Sequence, residues 1–344
     1  MHYSAENPLR IGIIGAGGIV RQRHVAALQA MPYVKIIAVA NTSLASAQRF
    51  VNEYCPAARA VADWHDVASA HDVDVVWIGA TPWLHKDASI YALDHGKHVF
   101  CQARMARDLS EAGLMWEASI RYPDLVTGLC PAPHGMAGGG LVKQLLVQGA
   151  IGKPTHLLLH SFSDSWLNAD RPAHWRQQVE ISGLHVLTLG IYAEVLQRWL
   201  GDITHVQADG AVVYQQRGGV EIEVPDFLNV LCRFRNGTHG MLCFSGVAAH
   251  GRGDELTLFG TEGTLIYDFS TDEVKLGKVG GMVEVLIVPE QMRQDWRVEQ
   301  DFIQAVIDPQ SPRPKPDFSE GMRYMRVVQA VAMAQDSGEI QQVC

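Results

Sequence analysis

Two short constellations in this sequence combine residue types and spacings that suit chemistry. The first is Gly15-Ala16-Gly17-Gly18-Ile19-Val20, a Gly-x-Gly-x-x-Gly pattern with Val20 in the third glycine's place. Glycines so spaced, after a strand and at the start of a helix, let the backbone approach a pyrophosphate at the helix N-terminus. Outside a βαβ unit the same run is an ordinary glycine turn. The second is His185, Thr188 and Tyr192, at i, i+3 and i+7, which share one face if the segment is helical. An imidazole titrates near neutral pH and a phenol can relay or orient a proton, so that face suits proton exchange with a hydroxyl. The competing role for His185 is capping or packing near a helix start.

Other candidates follow from position. Asn41-Thr42-Ser43 ends the second strand, where an Asp or Glu would bind the ribose 2′-hydroxyl of NAD. Neutral groups there remove the repulsion against a 2′-phosphate, so the sequence leans to NADP, with NAD left open. Ser43 equally suits the N-cap of the next helix. His134, beside Cys130 at a domain border, is an alternative base. His160, His174 and His185 have no close metal-ligand spacing, so no metal is expected.

The elements that must position these groups alternate. Residues 10–14, 34–40, 73–79, 98–101 and 125–129 read as buried strands, separated by helical patterns over 43–54 and 85–94 and one starting at Ser110. Prolines and glycines over 131–140 mark the border. Beyond it come a short helix to 148, a strand at 155–161 and a helix over 182–200. Five strand candidates follow, at 206–214, 227–234, 238–244, 255–259 and 264–267, then helices near 295–307 and 319–336. The hairpin signals Asn236-Gly237 and Glu262-Gly263 make the second sheet mostly antiparallel. The fold class is therefore α/β: a Rossmann doubly wound parallel sheet over 1–130, an α+β domain with a large open sheet over 131–318, and a helix and tail over 319–344.

Bulk properties narrow the function. A chain of 344 residues suits two domains. With 47% apolar and 19% charged residues it can bury a substantial core, and a net charge of -9 disfavours nucleic acid. The six cysteines form no C-x-x-C pair, the N-terminus has no signal-peptide pattern, and no run of 18 apolar residues suggests a membrane span. The expectation is a cytoplasmic protein with a small-molecule partner.

Three stretches recur in order: the glycine loop with His24, then Ala80-Thr81-Pro82-x-x-His85, then Gly96-Lys97-His98-Val99. Together with Trp175-Arg176, Gly190-Ile191-Tyr192 and the end near Ser337-Gly338, the chain resembles the glucose-fructose oxidoreductase, inositol dehydrogenase and rhizopine catabolism (Gfo/Idh/MocA) family. That resemblance covers nearly the whole chain. It implies a tightly held NAD(P) and hydride transfer to or from a sugar, polyol or related hydroxyl compound. It also implies a homodimer or homotetramer built through the second sheet. By resemblance, Gly15, Gly17, Gly18 and Ile19 meet the pyrophosphate and Asn41 to Ser43 the adenosine ribose. Thr81, Pro82 and His85 lie near the nicotinamide, Gln102 meets its ribose, and Trp175 and Arg176 come from the second domain.

One departure stands out. The family's Glu-Lys-Pro is here Gln102-Ala103-Arg104, and its Asp-x-Gly-x-His is Thr188-Leu189-Gly190-Ile191-Tyr192. Ala103 has no proton to exchange, and loss of the proline is expected to remove a bend. We therefore expect His185 with Tyr192 to take over proton transfer, with Thr188 on the same face and Gln102 holding hydroxyls. Two other functions compete: a lyase or hydrolase that cycles its cofactor within one turnover, and a sensor that kept the pocket and lost the lysine.

Overall fold

Buried β-branched runs build the first sheet. The computed structural model describes residues 3–131, 136–294 and 296–344, so His134 lies outside the described residues. Two compact units divide the chain, Met1–Pro131 with Arg297–Met322, and Ala132–Trp296 with Arg323–Cys344.

In the first unit, β1 (Leu9–Ile14), β2 (Val34–Ala40), β3 (Arg59–Val61), β4 (Val75–Ile78), β5 (His98–Cys101) and β6 (Thr127–Leu129) form one sheet. The strands are parallel and ordered β3-β2-β1-β4-β5-β6. The order reverses between β1 and β4, and ligand crevices of such sheets open at the carboxyl ends of the strands at that point. Strand β3 is too short to read from the sequence. Connecting helices are α1 (Val25–Gln29), preceded by a π-helical turn at Val20–His24, then α2 (Leu44–Tyr54), α3 (His65–Ala68), α4 (Pro82–Asp94) and α5 (Leu109–Arg121). Asp108, rather than Ser110, caps α5 by accepting from the Glu111 N–H at 2.8 Å.

His98 on β5 gives this unit a pH dependence. Its Nδ1 accepts from the Val126 N–H at 2.9 Å. Burial, reinforced by nearby Arg313, pushes its pKa down from 6.5 to about 4. The folded ring stays neutral where the unfolded one takes a proton. Stability is therefore full above about pH 6.5 and falls by up to about 3 kcal/mol as the pH drops to about 4. Urea midpoints across that window should shift less in His98→Gln, whose amide oxygen can still accept from Val126. An unchanged slope would assign the effect to other groups.

The second unit begins with α6 (Gly139–Val147) and β7 (Pro154–Phe162), then α7 (Val179–Ser182) and α8 (Leu189–Leu200). The helix expected over 182–200 is two helices. Gly183 at φ 68° and Leu187 at φ 47° break the chain between them, so His185 precedes α8 instead of lying on it. The remaining strands are β8 (Ile203–Ala211), the short β9 (Gln216–Arg217) and β10 (Val220–Glu221), β11 (Phe227–Phe234), β12 (His239–Ser245), β13 (Asp254–Gly260), β14 (Gly263–Asp268), β15 (Glu273–Lys278) and β16 (Val283–Leu286). The nine-stranded sheet runs β16-β15-β14-β13-β7-β12-β11-β8-β17, where β17 is Gln341–Gln342. Of its pairings only β7 with β12 is parallel. Strand alternation divides its faces: Leu157, Leu159, Leu242 and Leu256 are buried, whereas Leu158, Leu231 and Met241 on the other face are exposed.

The chain then returns to the first unit, which corrects the expected 131–318 domain. On α9 (Val298–Ile307), Phe302 packs edge-on against Trp77 and Phe100 at 5.7 and 5.5 Å, and those two rings stack at 3.8 Å. Gly128 leaves room for it, since a Cβ there would lie 2.9 Å from Phe302 Cδ2. The last helix, α10 (Phe318–Ser337), starts in the first unit and ends in the second, so the expected separate 319–344 segment is also divided. Among the described residues no helix is long and apolar enough to cross a membrane, and none of the six cysteines is in a disulfide.

Candidate active site

The glycine loop lies where the crevice opens. Gly15 ends β1 at φ 85°, and its N–H donates to the Ala40 carbonyl at 2.9 Å. A Cβ on it would lie 2.4 Å from the Ala80 nitrogen, so only glycine lets β1 turn against the end of β4. Val20, standing where the fingerprint's third glycine is usual, is fully buried, and the missing space comes from Gly79. A Cβ on Gly79 would lie 2.3 Å from Val20 Cγ2. The close helix–strand packing normally allowed by the third glycine is thus supplied from the opposite strand.

A cleft of about 560 Å³ opens there, lined among others by Gly15, Gly17, Asn41, Thr42, Asp63 and Thr81. Asn41 Oδ1 accepts from the Ala16 N–H at 3.4 Å. Ser43 caps α2, exchanging hydrogen bonds with Ser46, and does not line the cleft. Gly18 is exposed in the loop and Ile19 is half-buried beside it. Thr81 is the N-cap of α4, and Pro82 at the first helical position fixes that start.

Asp63 was not legible in the sequence, because it follows the three-residue β3. Hydrogen bonds from the His65 backbone and ring hold its carboxyl below the usual range, so it faces the cleft as an anion. Trp64 stacks on His65 at 3.6 Å, and exposed Trp83 lines the same cleft.

His85 is fully buried. Its Nδ1 faces the Arg104 carbonyl at 2.8 Å and its Nε2 the Ala80 carbonyl at 2.9 Å, and burial lowers its pKa. The ring ties the end of β4 to the 104–105 segment and is absent from the cleft lining. The Ala103–Arg104 peptide is cis. Gln102 is 7% exposed, and its N–H donates to the Ile78 carbonyl at 3.0 Å. Its side chain meets His24, which in turn meets Glu299 of α9.

In the second unit the predicted residues are only partly brought together. Trp175 and Arg176 form a short 3-10 turn, with the guanidinium 4.2 Å above the Trp175 ring. His185 is fully buried; a Cβ on Gly190 would lie 3.3 Å from its Nδ1 and 3.5 Å from Tyr324 Cδ2. Thr188 donates to Ser161 Oγ at 2.8 Å. Tyr192 is 2% exposed, packs against Phe269 at 4.8 Å and donates its hydroxyl to Asp254. Burial and the Asp254 carboxylate push its pKa well above the usual phenol range. The shared helical face expected for His185, Thr188 and Tyr192 does not exist, since α8 begins only after Thr188. Ser161 and Asp254 had no sequence signal; they arrive through the pairing of β7 with β13. Among the described residues no group of three or more His, Cys, Asp or Glu side chains could hold a metal.

Residues 9–127 match the family model for the oxidoreductase family with an NAD-binding Rossmann fold, and residues 141–266 match the GFO/IDH/MocA C-terminal domain. The chain belongs to the Gfo/Idh/MocA family. As a member of it, the protein is an NAD-binding oxidoreductase of the sugar and polyol dehydrogenase kind. Levoglucosan dehydrogenase of Pseudarthrobacter phenanthrenivorans is 28% identical over 304 residues, covering 78% of this chain and 76% of that one. Inositol 2-dehydrogenase of Acidiphilium cryptum is 26% identical over 243 residues, covering 66% and 68%. Among solved structures, an oxidoreductase domain protein from Kribbella flavida superposes with a TM-score of 0.89 at 19% identity, over 98% of this chain and 99% of that one. A levoglucosan dehydrogenase in complex with NADH gives 0.88 at 20% identity, over the same shares. These two superpositions establish that this Gfo/Idh/MocA chain shares their fold.

Proposed function

We propose that the protein interconverts a hydroxyl and a carbonyl on a sugar, polyol or related cyclic compound, using NAD. The observation that carries this reading is the cleft at the carboxyl ends of β1, β2 and β4, lined by the glycine loop, where only glycine at position 15 lets β1 turn against the end of β4. Gly15, Gly17, Asn41, Thr42 and Thr81 would hold the dinucleotide, with Gly18 and Ile19 beside its pyrophosphate. When bound, NAD supplies a hydride acceptor. Relatives named for levoglucosan and inositol support the substrate class. Native mass spectrometry of the purified protein, followed by a sugar and polyol screen on nicotinamide absorbance, tests it. Absence of retained nucleotide and of binding on titration would overturn it.

Asp63 favours NAD over the NADP that Asn41-Thr42-Ser43 suggested alone. A carboxylate in the adenosine end of the cleft repels a 2′-phosphate, and Ser43 is engaged at its helix cap. Asp63→Ser should shift the ratio of NADPH to NADH affinity toward NADPH by about five- to tenfold, as removal of one partly screened charge implies. An unchanged ratio would return the choice to Asn41 and Thr42.

For the proton we assign His185, the imidazole that packs against Gly190 at the start of α8, as acceptor. Thr188 and Ser161 orient hydroxyls, Tyr192 holds α8 to Asp254, and Trp175 with Arg176 offers a stacking surface to the substrate.

The open face of the second sheet supports a homo-oligomer. Across its register, Leu158, Met241 and Leu231 form an apolar row. One row along lie His156, His239, Arg233 and His205; on the other side lie His160, Glu255, Asp268, Glu273 and, on β8, Asp209. A second copy laid face to face with its strands reversed would bring apolar row over apolar row, which suits a two-fold dimer. The same mass spectrum reports it, and a monomer would remove this assignment.

A further inference from the structure

His24 sits at the centre of a buried chain of polar groups whose donors and acceptors can be counted. Its ring is fully buried, as is Glu299, and it meets Trp77 and Phe100 edge-on at 5.1 and 5.5 Å. Nδ1 faces Glu299 Oε1, and Nε2 faces the Gln102 side-chain nitrogen. A carboxylate can only accept, so Nδ1 carries the proton. In the neutral ring Nε2 then holds a lone pair and accepts from the Gln102 amide. The thiol of Cys130 also lies within hydrogen-bonding reach of the Gln102 side chain. The amide nitrogen is therefore turned toward His24, and the carbonyl oxygen points away from the ring.

Three separate parts of the chain build this arrangement. The π-helical turn at Val20–His24 directly follows the glycine loop and delivers the ring. Gln102 follows β5, tied by its N–H to the end of β4, and Glu299 comes from the helix that returns after the second unit. Trp77, Phe100 and Phe302 wall the site with apolar surface, where a hydrogen bond is stronger and an unmade one more costly than in water.

We propose that Glu299 and His24 are positioning residues that lock the Gln102 carboxamide in one orientation, presenting its carbonyl oxygen as an acceptor to the nicotinamide half of the bound nucleotide. The acceptor role rests on the NAD reading above; the locked ring does not. An amide left to itself offers donor or acceptor with nearly equal ease. The imidazole between it and Glu299 removes that choice, because reversing the amide would oppose its oxygen to the Nε2 lone pair.

Two measurements test this. In protein labelled with ¹⁵N-histidine and free of nucleotide, long-range ¹H–¹⁵N correlation should show one ring as the neutral Nδ1–H tautomer. Gln102→Leu should move the Nε2 resonance of that ring alone. An imidazolium, or an Nε2–H tautomer, would overturn the lock. In NADH titrations, Gln102→Leu should weaken binding about tenfold, the value of one good hydrogen bond. Glu299→Leu should do the same, Glu299→Gln should rescue most of the loss because its amide oxygen still accepts from Nδ1–H, and the Gln102→Leu/Glu299→Leu protein should bind no worse than either single variant. Multiplying losses in the double variant would show independent roles and overturn the proposal. If Glu299→Leu fails to fold, comparison of Glu299→Gln with Gln102→Leu and the resonance measurement still decide it. Wild-type protein that shows the tautomer but binds no NADH would defeat the nucleotide reading and the acceptor role, leaving the lock itself established.

Discussion

Gly15→Ala is expected to bind no measurable NADH and to lose about 2–5 kcal/mol of stability. The left-handed backbone at φ 85° costs a residue with a Cβ about 1–2 kcal/mol. The overlap with the Ala80 nitrogen at 2.4 Å and the Gly79 carbonyl carbon at 2.8 Å adds about 1–3 kcal/mol, as overpacking of a closed site does. Relief of that overlap moves β1 away from β4, and those two strand ends form the floor of the cleft. Gly18→Ala is the contrast, since its Cβ would meet nothing within 4 Å, and its urea midpoint should match the unsubstituted protein. A Gly15→Ala protein that binds NADH normally would remove the glycine loop from the site.

His185→Asn is expected to lower kcat by about 10²- to 10⁴-fold with NADH affinity unchanged, the usual contribution of a positioned acid or base. The separation of kcat from stability decides between the two roles open to the residue. A packing role, suggested by the burial of the ring against Gly190, would lower the denaturation midpoint and leave turnover largely intact. Adding Ala103→Lys to the His185→Asn protein should raise its rate by giving the proton another route. Should His185→Asn turn over at the normal rate, the imidazole plays no part in the reaction. An Ala103→Lys protein with no gain on any polyol would then favour a sensor, or a lyase that cycles its cofactor, over a dehydrogenase.

Much of the first unit was legible because its signals are local. Strands 34–40 and 98–101 were readable to the residue from uninterrupted apolar runs closed by turn residues. The second sheet was recognisable from alternation and from Asn236-Gly237, whose glycine takes φ 88° in the turn between β11 and β12. The helix over 182–200 was misread because its apolar periodicity runs on through Gly183, and a glycine inside a periodic pattern does not reveal which sign of φ it takes. That single break moves His185 off the face it was expected to share with Tyr192.

Family, fold class and the glycine turn after β1 were present in the residue order, because each is encoded in short-range spacing: glycines two apart, strands of fixed length, helices that end at glycine or proline. What surrounds those motifs was settled by folding. Asp63 reaches the cleft because β3 pairs with β2, and Asp254 reaches Tyr192 because β13 pairs with β7. Glu299 meets His24 across 275 residues because α9 returns to cover the first sheet. Such contacts leave no periodic trace, since burial in a low-dielectric interior selects partners by proximity in space, and one buried carboxylate in a helix reads like any other until the imidazole beside it is in place.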